Sequence, residues 1–414
     1  MNLHPLASAQ AEARDDSLEA DLTVIGGAGH VGIPLVLAFA ESGLKVNVND
    51  INVDALGILK SGRLPFIEHG AEDLLAKALA AGRLIFTASS KEISPGMPLI
   101  VTIGTPIDEF FNPVRKVMQD CVDALLPQMV NGQLLVLRST VFPGTTDWVD
   151  RYLRERGRQI NVAFCPERVV QGYGIPELKS MPQIVSGTTP EAVEQASALF
   201  RPLVPEVVIV TPLEAEFAKL FNNAYRYIEF ATTNQFYQIA KSAGLDYHRV
   251  LNAMKHNYPR ARNIPGPGFS AGPCLVKDTM QLAAVASNQF SLGHAAMLVN
   301  EGLVLNIVED LRRRYDLTST TVGLLGMAFK ANIDDNRASL SYKLKKALAS
   351  LAREVLTTDP FVTTDPELVT FDEVVRRSDV LVLCTPHTSY KNAELNNKPV
   401  VDVWGFLENA NLLR

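Results

Sequence analysis

The fold class is predicted from one short segment, Leu22-Thr23-Val24-Ile25-Gly26-Gly27-Ala28-Gly29-His30-Val31-Gly32. A short, mostly apolar and β-prone run leads directly into a glycine-rich turn, and a helical pattern follows from Ile33 to about Ser42. After Gly43 a second strand pattern runs over residues 45–50. Strand, glycine turn, helix and strand together make a βαβ unit, so this part of the chain is predicted to form a parallel α/β sheet.

The glycine turn has the spacing Gly27-x-Gly29-x-x-Gly32, which is typical of a dinucleotide-binding turn. Small glycines let the backbone approach a pyrophosphate, and the helix that follows offers free N–H groups at its N-terminus. Asp50 ends the second strand, where a carboxylate would accept hydrogen bonds from a ribose diol and repel a 2′-phosphate. We therefore predict NAD as the cofactor. The alternative is a turn that only packs a helix, with a surface aspartate.

Further β-strand patterns occur at residues 98–103, 133–138, 162–164 and 207–210, with helical patterns between them. A long amphipathic helix is predicted from Thr211-Pro212 past Lys241, up to Gly244. The prolines that follow it exclude a helix between about 259 and 273. After Tyr315 the alternation of strands and helices resumes, with strands predicted at 321–326, 355–359, 380–384 and 400–403.

We therefore predict an α/β fold, in which two Rossmann-like doubly wound parallel-sheet domains are joined by a long central helical region. The apolar face of so long a helix needs covering, which a second subunit could do. The predicted divisions are a flexible leader at 1–20, an NAD-binding domain at 21–211, a central helical and dimerisation region at 212–315, and a second Rossmann-like domain at 316–414.

Composition narrows the function classes. The chain has 414 residues, 47% of them apolar and 20% charged, with a net charge of −6, so nucleic acid and anionic membranes are not expected partners. Its four cysteines are scattered without metal-ligand spacing, which indicates a reducing compartment and no metal site. The first twenty residues lack the pattern of a signal peptide, and no apolar run reaches the length of a membrane span. We predict a cytoplasmic protein.

Two segments carry the chemistry. Lys219 and Asn223 lie four residues apart on the long predicted helix, so both could donate hydrogen bonds to one oxygen that becomes negative during a reaction. The alternative is a solvated Glu/Lys face. Cys274 follows a glycine-rich loop and precedes Lys277-Asp278, so an adjacent cation would favour its thiolate. Cys121, Cys165 and Cys384 lie in apolar surroundings and are interpreted as small core residues.

Seven segments in this order and spacing resemble the UDP-glucose/GDP-mannose dehydrogenase family from residue 22 to about 404. They are VIGGAGHVGIPL (24–35), GTPID (104–108), RSTVFPGT (138–145), FCPERVVQG (164–172), the helix with Lys219 and Asn223, PGPGFSAGPCLVKD (265–278) and LGMAFKANIDDNR (325–337). FCPERVVQG, YPR (258–260), PGPG and AFKANIDD look most similar to the branch that oxidises UDP-N-acetylated hexosamines, such as UDP-N-acetylmannosamine.

The resemblance implies a four-electron oxidation of the sugar C6 alcohol to a carboxylate, with two NAD used in turn. Cys274 would form a thiohemiacetal and then a thioester. Lys219 and Asn223 would stabilise the oxyanion, Asp278 would relay a proton through a water, and Glu167 would orient the hydrolytic water. Thr140, together with Thr105 and Glu167, would line the nicotinamide side.

The resemblance also assigns binding residues. The expected cofactor-binding set is Gly27, Gly29, His30, Val31, Gly32, Asp50, Thr105, Thr140, Lys277 and Arg337, with Arg337 at the pyrophosphate and His30 as a turn residue rather than a catalyst. The expected UDP-sugar-binding set is Glu167, Arg168, Val169, Lys219, Asn223, Arg260, Gly268 and Lys330. Arg260 matches an arginine that reaches the neighbouring subunit's site, which implies a homodimer.

Some positions depart from the family pattern. Ser270-Ala271-Gly272-Pro273 replaces adjacent glycines, Gln171 stands where a second glutamate is common, and Ala338 stands where glutamate is common. Lys277-Asp278 resembles the UDP-glucose branch. A UDP-glucose 6-dehydrogenase, a two-electron β-hydroxyacid dehydrogenase and a non-catalytic binding protein therefore remain alternatives.

Overall fold

The computed structural model describes residues 20–109, 113–408 and 410–413. The predicted leader, apart from Ala20, lies outside the described residues. The first sheet contains β1 (Leu22–Ile25), β2 (Val46–Asn49), β3 (Leu84–Thr87), β4 (Leu99–Val101), β5 (Leu134–Leu137), β6 (Asn161–Phe164), β7 (Gln183–Gly187) and β8 (Val207–Ile209).

These strands are ordered β3-β2-β1-β4-β5-β6-β7-β8 and are parallel, except that β7 runs antiparallel to β6. The helices that flank this first sheet are α1 (Gly32–Glu41), α2 (Val53–Lys60), α3 (Ala71–Ala80), α4 (Arg115–Leu125), α5 (Thr145–Glu155), α6 (Gly174–Ser180) and α7 (Pro190–Phe200). Side chains of α1, α3, α6 and α7 fill one core, and those of α4 and α5 fill the other. Both faces of the sheet are thus covered, as a doubly wound parallel sheet requires.

A 31-residue helix, α8 (Pro212–Ser242), leaves the first sheet. Pro212 occupies its first turn, and Thr211 with Glu214 forms a reciprocal capping box, which explains why it starts there. The other central helices are α9 (Tyr247–Lys255), α10 (Leu275–Val285) and α11 (Ser291–Arg314), of which α10 and α11 pack on α8. By length and composition, α11 could span a membrane, but one of its faces is buried in the protein core.

The last sheet contains β9 (Thr321–Leu325), β10 (Glu354–Thr358), β11 (Val380–Leu383), β12 (Pro399–Asp402) and β13 (Asn411–Leu412). It is parallel, with the order β10-β9-β11-β12-β13, and its helices are α12 (Leu340–Ala349) and α13 (Phe371–Arg377). The predicted architecture of two doubly wound sheets joined by a long helix is confirmed. Sequence patterns missed β3, β7 and β13, and did not anticipate the antiparallel strand.

Candidate active site

The glycine turn between β1 and α1 is shaped by close backbone packing. A Cβ atom at Gly32 would lie 2.4 Å from the carbonyl oxygen of Gly26, and one at Gly27 would lie 2.8 Å from that of Val24. At Gly29 a Cβ atom would meet only the Gly26 oxygen, at 3.4 Å, so its outer surface is open to a ligand. No side chain caps α1, and its first turn carries no acidic residue. Its N-terminal amides therefore suit the negative charge of a pyrophosphate.

Asp50 lies beside this glycine turn. One carboxylate oxygen accepts a hydrogen bond from the backbone N–H of Ala28 at 3.0 Å, and the other accepts one from Asn52 at 2.9 Å. The side chain is only partly buried, so its remaining acceptor positions can reach a ribose diol. The turn, the uncapped helix and this carboxylate together fit NAD.

His30 packs against protein on the same turn. Its ring packs against Phe66 in a tilted arrangement with the centroids 3.8 Å apart, and Gln171 donates its amide N–H to Nδ1 at 3.1 Å. Burial, together with the nearby Arg337 cation, lowers the pKa of His30 to about 4, although Asp335 opposes the shift. The imidazole is therefore uncharged at neutral pH, as suits a residue that lines the cofactor-binding turn.

The ends of β4 and β5 meet α10 beside this turn. Thr105 donates its hydroxyl to the carbonyl oxygen of Thr140 at 2.5 Å, and Lys277 donates its ammonium group to the carbonyl oxygen of Thr105 at 3.4 Å. The structure thus brings together three residues of the predicted cofactor-binding set, two of which, Thr105 and Thr140, were predicted for the nicotinamide side.

Cys274 immediately precedes α10, and Asp278 lies one turn further along that helix. Asn223 on α8 donates its amide N–H to Asp278 Oδ2 at 2.5 Å. Asp278 is fully buried, and its Oδ1 lies 3.5 Å from Lys277 Nζ but accepts no hydrogen bond within the described part of the chain. The predicted asparagine, aspartate and lysine therefore surround the start of the helix that carries the cysteine.

The Cys274 thiol remains accessible to solvent, although protein surrounds it on most sides. Desolvation and the Asp278 carboxylate raise the pKa of Cys274, and Lys219, Lys277 and Arg337 only partly offset this. Lys277 favours the thiolate, as expected, but burial beside a carboxylate outweighs the cations, so the net shift in the pKa is upward. Lys219 is one of the three cations that lower the pKa of this thiol.

Glu167 follows β6, and both of its carboxylate oxygens have partners within the protein. One oxygen forms an ion pair with the buried guanidinium of Arg138, and the other accepts the backbone N–H groups of Arg168 at 2.7 Å and Val169 at 2.9 Å. Arg138 also donates to Gln183 on β7 at 3.0 Å. The guanidinium of Arg168 is bonded to the carbonyl oxygen of Pro182, away from the loop's own backbone. In this structure Glu167 chiefly fixes the loop.

The loop before Cys274 is held by a buried amide network. Gly268, at a φ of 153°, leaves no room for a side chain because a Cβ atom would lie 2.3 Å from the Trp404 ring. Asn234 on α8 donates to the Gly268 carbonyl at 3.0 Å and accepts its N–H at 2.9 Å. Asn234 also donates to Asn300 on α11 at 2.9 Å. Sequence reasoning missed both asparagines; their only signal is a polar residue on a buried helix face.

The last domain contacts the first through the segment between β9 and α12. Lys330 donates to the Gln171 carbonyl oxygen at 3.1 Å, and burial lowers the pKa of Lys330. Arg337 pairs with Asp335 at 2.6 Å, and Gln171 donates to the same carboxylate at 2.6 Å. Although burial opposes it, hydrogen bonds from Arg337 and Gln171 hold the pKa of Asp335 below its usual value. Arg337 thus lies near the glycine turn, and Asp335 is a partner that the sequence did not reveal.

Arg260 lies apart from these groups. It is exposed, and its guanidinium sits 5.1 Å from the centroid of the Tyr258 ring. Within the described residues there is no group of three or more His, Cys, Asp or Glu side chains that could hold a metal ion.

Comparison with known families matches three consecutive profiles of one family. They are the NAD-binding domain of the UDP-glucose/GDP-mannose dehydrogenase family at residues 20–204, its central domain at 213–302 and its UDP-binding domain at 323–409. The chain belongs to the UDP-glucose/GDP-mannose dehydrogenase family. It is therefore an NAD-dependent nucleotide-sugar dehydrogenase, in which the first sheet belongs to the NAD-binding domain and the last to the UDP-binding domain.

Individual relatives within this family have related names. A UDP-N-acetyl-D-mannosamine dehydrogenase from Pyrococcus horikoshii is 28% identical over 380 residues, covering 88% of this chain and 89% of the relative. An NDP-N-acetyl-D-galactosaminuronic acid dehydrogenase from Ralstonia nicotianae is also 28% identical, covering 94% and 98%. A solved UDP-glucose dehydrogenase from Pyrobaculum islandicum is 25% identical, with a TM-score of 0.88 and coverage of 97% and 98%.

Proposed function

We propose that this dehydrogenase oxidises the C6 alcohol of a UDP-N-acetylhexosamine, with UDP-N-acetylmannosamine as the substrate, to the uronate. The observation that carries the proposal is the position of Cys274, whose accessible thiol lies next to the Asn223–Asp278 pair and within the electrostatic influence of Lys219. The name of the Pyrococcus horikoshii relative supports the choice of sugar.

In the first oxidation, Lys219 and Asn223 hold the C6 oxygen and stabilise the negative charge that develops on it. NAD bound on the glycine turn supplies the hydride acceptor for each of the two oxidations. Thr105 and Thr140 form the wall against which the reacting carbon is held. The proton of the C6 hydroxyl group passes toward Asp278, whose Oδ1 can accept it through a water.

In the second stage, the Cys274 sulfur adds to the aldehyde carbon, and the resulting thiohemiacetal keeps the aldehyde bound while the cofactor exchanges. A second oxidation converts it to a thioester, and water, oriented from the Glu167 side, releases the carboxylate and the free thiol. Overall, one alcohol, one water and two NAD give one carboxylate, two NADH and three protons.

The substrate contacts and assembly belong to the same proposal. Gly268 and the backbone beside Arg168 and Val169 hold the nucleotide sugar, and Lys330 contacts its phosphate or sugar. Apolar side chains remain exposed along α8 and α11, including Tyr225, Ile239, Leu298 and Leu305. We propose that a second copy covers them in a homodimer and that Arg260 enters the neighbouring site. The four free cysteines support a cytoplasmic location.

A panel of UDP-sugars tests the substrate. NADH formation is measured with UDP-N-acetylmannosamine, UDP-N-acetylglucosamine, UDP-N-acetylgalactosamine and UDP-glucose, and the first is expected to have the highest kcat/KM. A preference for UDP-glucose would instead support the second candidate, a UDP-glucose 6-dehydrogenase, which Lys277-Asp278 and the Pyrobaculum islandicum structure favour. Sedimentation tests the dimer, and a monomer at all working concentrations would contradict it.

A further inference from the structure

Glu216 is a buried carboxylate on α8 that the proposed steps do not use. Only 1% of its surface is exposed. One oxygen accepts the backbone N–H of Gly144 at 2.5 Å, and the other accepts the N–H and the hydroxyl of Thr146 at 2.8 and 2.6 Å. Three hydrogen bonds therefore tie the start of the central helical region to one short segment of the first domain.

That segment is the N-terminus of α5. Helix N-termini leave backbone N–H groups without partners, and a side chain at the preceding residue usually accepts from them. Here the preceding residue is Gly144, at a φ of 86°, which has no side chain to do so. Glu216 supplies the acceptor from a different helix, and its negative charge suits the positive end of α5. The cap therefore also acts as a link between α5 and α8.

The same face of α8 carries the proposed oxyanion donors. Glu216, Lys219 and Asn223 are spaced by three and four residues, so their side chains lie along one side of the helix. Asn223 is tied to Asp278 on α10, and Glu216 is tied to α5. Lys219 lies between these two ties and makes no hydrogen bond or ion pair with any residue that the structure describes. Its position therefore depends on where α8 is held.

The residues that Glu216 contacts, Gly144 and Thr146, lie close in sequence to Thr140, which is proposed for the nicotinamide side. Gly144 lies four residues after Thr140, whose carbonyl oxygen is bonded to Thr105 on the nicotinamide side. Fixing α8 to Gly144 and Thr146 thus fixes Lys219 relative to that wall, while the Asn223–Asp278 bond fixes it relative to Cys274.

We propose that Glu216 is a positioning residue, whose bonds to Gly144 and Thr146 set the Lys219 ammonium group at the oxygen that becomes negative during oxidation. The inference rests on the proposed role of Lys219. Burial raises the pKa of Glu216 in spite of its hydrogen bonds, so a carboxylate at this position carries a desolvation cost. A neutral local cap on α5 would avoid that cost but would not connect the two helices.

A double-mutant cycle tests the inference, with kcat measured from NADH formation at saturating NAD and UDP-sugar. Lys219→Ala is expected to lower kcat by about 100-fold, as removal of an oxyanion donor typically does. Glu216→Gln is expected to lower kcat by about 10-fold, with the KM for NAD nearly unchanged. The kcat of the double variant is expected to lie within about threefold of that of Lys219→Ala, because no ammonium group then remains to be positioned. Multiplicative losses would overturn the inference.

Glu68 provides a matched control. It is equally buried, and it accepts the backbone N–H groups of Gly172 at 3.1 Å and Gly174 at 2.5 Å at the start of α6. Glu68→Gln combined with Lys219→Ala is expected to give multiplicative losses, since that carboxylate has no tie to α8. Thermal midpoints of both glutamine variants are recorded, so that a general loss of stability is separated from the coupling. Equal coupling of Glu68 and Glu216 to Lys219 would overturn the proposal.

If Glu216→Gln does not fold, Thr146→Val replaces it, because this change removes only the hydroxyl donor. The same non-multiplicative pattern with Lys219→Ala is expected, with a smaller single effect. The cycle also separates the two claims. If Lys219→Ala retains full kcat, the proposed role of Lys219 is wrong and the inference fails with it. If Lys219→Ala is slow but multiplies with both link variants, only the inference fails.

Discussion

The first and last sheets use a similar framework around their leading turn. Each places a glycine at positive φ after its leading strand, Gly26 at 76° and Gly326 at 92°, and an aspartate after the neighbouring strand, Asp50 and Asp359. Each aspartate accepts hydrogen bonds from backbone N–H groups of the turn. The two turns nevertheless differ in what their aspartates can still bind.

Asp50 remains partly exposed, whereas the side chain of Asp359 is fully buried. Asp359 Oδ2 accepts from the N–H groups of Met327 and Ala328 and lies 3.0 Å from His387 Nε2. Its Oδ1 accepts from Phe361 and Val362. With these acceptor positions occupied, Asp359 stabilises the fold of its own domain and has no room for a ribose diol.

The chain after each turn differs as well. In the first domain α1 starts at Gly32, six residues after Gly26, so its N-terminus faces the turn. In the last domain α12 starts only at Leu340, fourteen residues after Gly326, and the intervening segment carries Lys330 and Arg337 toward the first domain. A similar beginning thus leads to a glycine turn that fits NAD in one domain, and in the other to a segment that reaches across to the first domain.

The largest change in activity is expected when Cys274 is replaced, and NAD binding at the first glycine turn should not change with it. Cys274→Ser should lower uronate formation by at least about 1000-fold, because a serine hydroxyl cannot replace the thiolate in capturing the aldehyde. NAD binding, measured by calorimetry, should remain nearly unchanged because the first turn is intact. Cys121→Ser is the control for loss of a thiol. Uronate formation by Cys274→Ser at a rate close to that of the unmodified enzyme would refute its covalent role.

The next largest effect is expected on stability, from a change at Asp359 in the turn of the last domain. Asp359→Ala leaves several buried donors without an acceptor and is expected to lower the free energy of unfolding by about 3 kcal/mol. Chemical denaturation measures this change. The affinity of the folded variant for NAD should match that of the parent, and a weakened affinity would show that the last turn also contributes to cofactor binding.

A smaller effect is expected at Asp50 in the turn of the first domain, where cofactor binding rather than stability should change. Asp50→Ala should weaken NAD binding by about tenfold, equal to about 1.4 kcal/mol, and reduce discrimination against NADP, with little change in unfolding. Steady-state KM values for both cofactors provide the measurement. Unchanged values for both would remove Asp50 from the site and erase the contrast between the two aspartates.

The smallest expected effect is a dependence of stability on pH. Although burial opposes it, hydrogen bonds from His387 and backbone amides hold the pKa of Asp359 below its usual value. An acid with a lowered pKa in the folded protein stabilises it above the unfolded value, near about 3.9, and the stabilisation is lost as the pH falls through the folded value. The unfolding free energy of Asp359→Asn should therefore fall less steeply than that of the parent below about pH 4. Identical slopes would contradict this.

Local patterns predicted the parts of the molecule that depend on neighbouring residues. The strand–glycine–helix segment, the start of α8 at Thr211-Pro212 and the face shared by Lys219 and Asn223 follow from short spacings. The antiparallel β7, the Arg138–Glu167 pair and the Asn234–Gly268 bonds join residues far apart in sequence, and no periodicity encodes them. The net upward shift in the pKa of Cys274 could not be predicted for a similar reason, because the sequence shows Lys277 but not the depth of burial.

The four-electron oxidation is tested by counting the NADH molecules formed for each UDP-sugar consumed. With limiting UDP-N-acetylhexosamine, excess NAD and the unmodified enzyme, both quantities are followed to completion, and we expect a ratio of two with the uronate as product. A ratio of one, with the aldehyde as the final product, would contradict it.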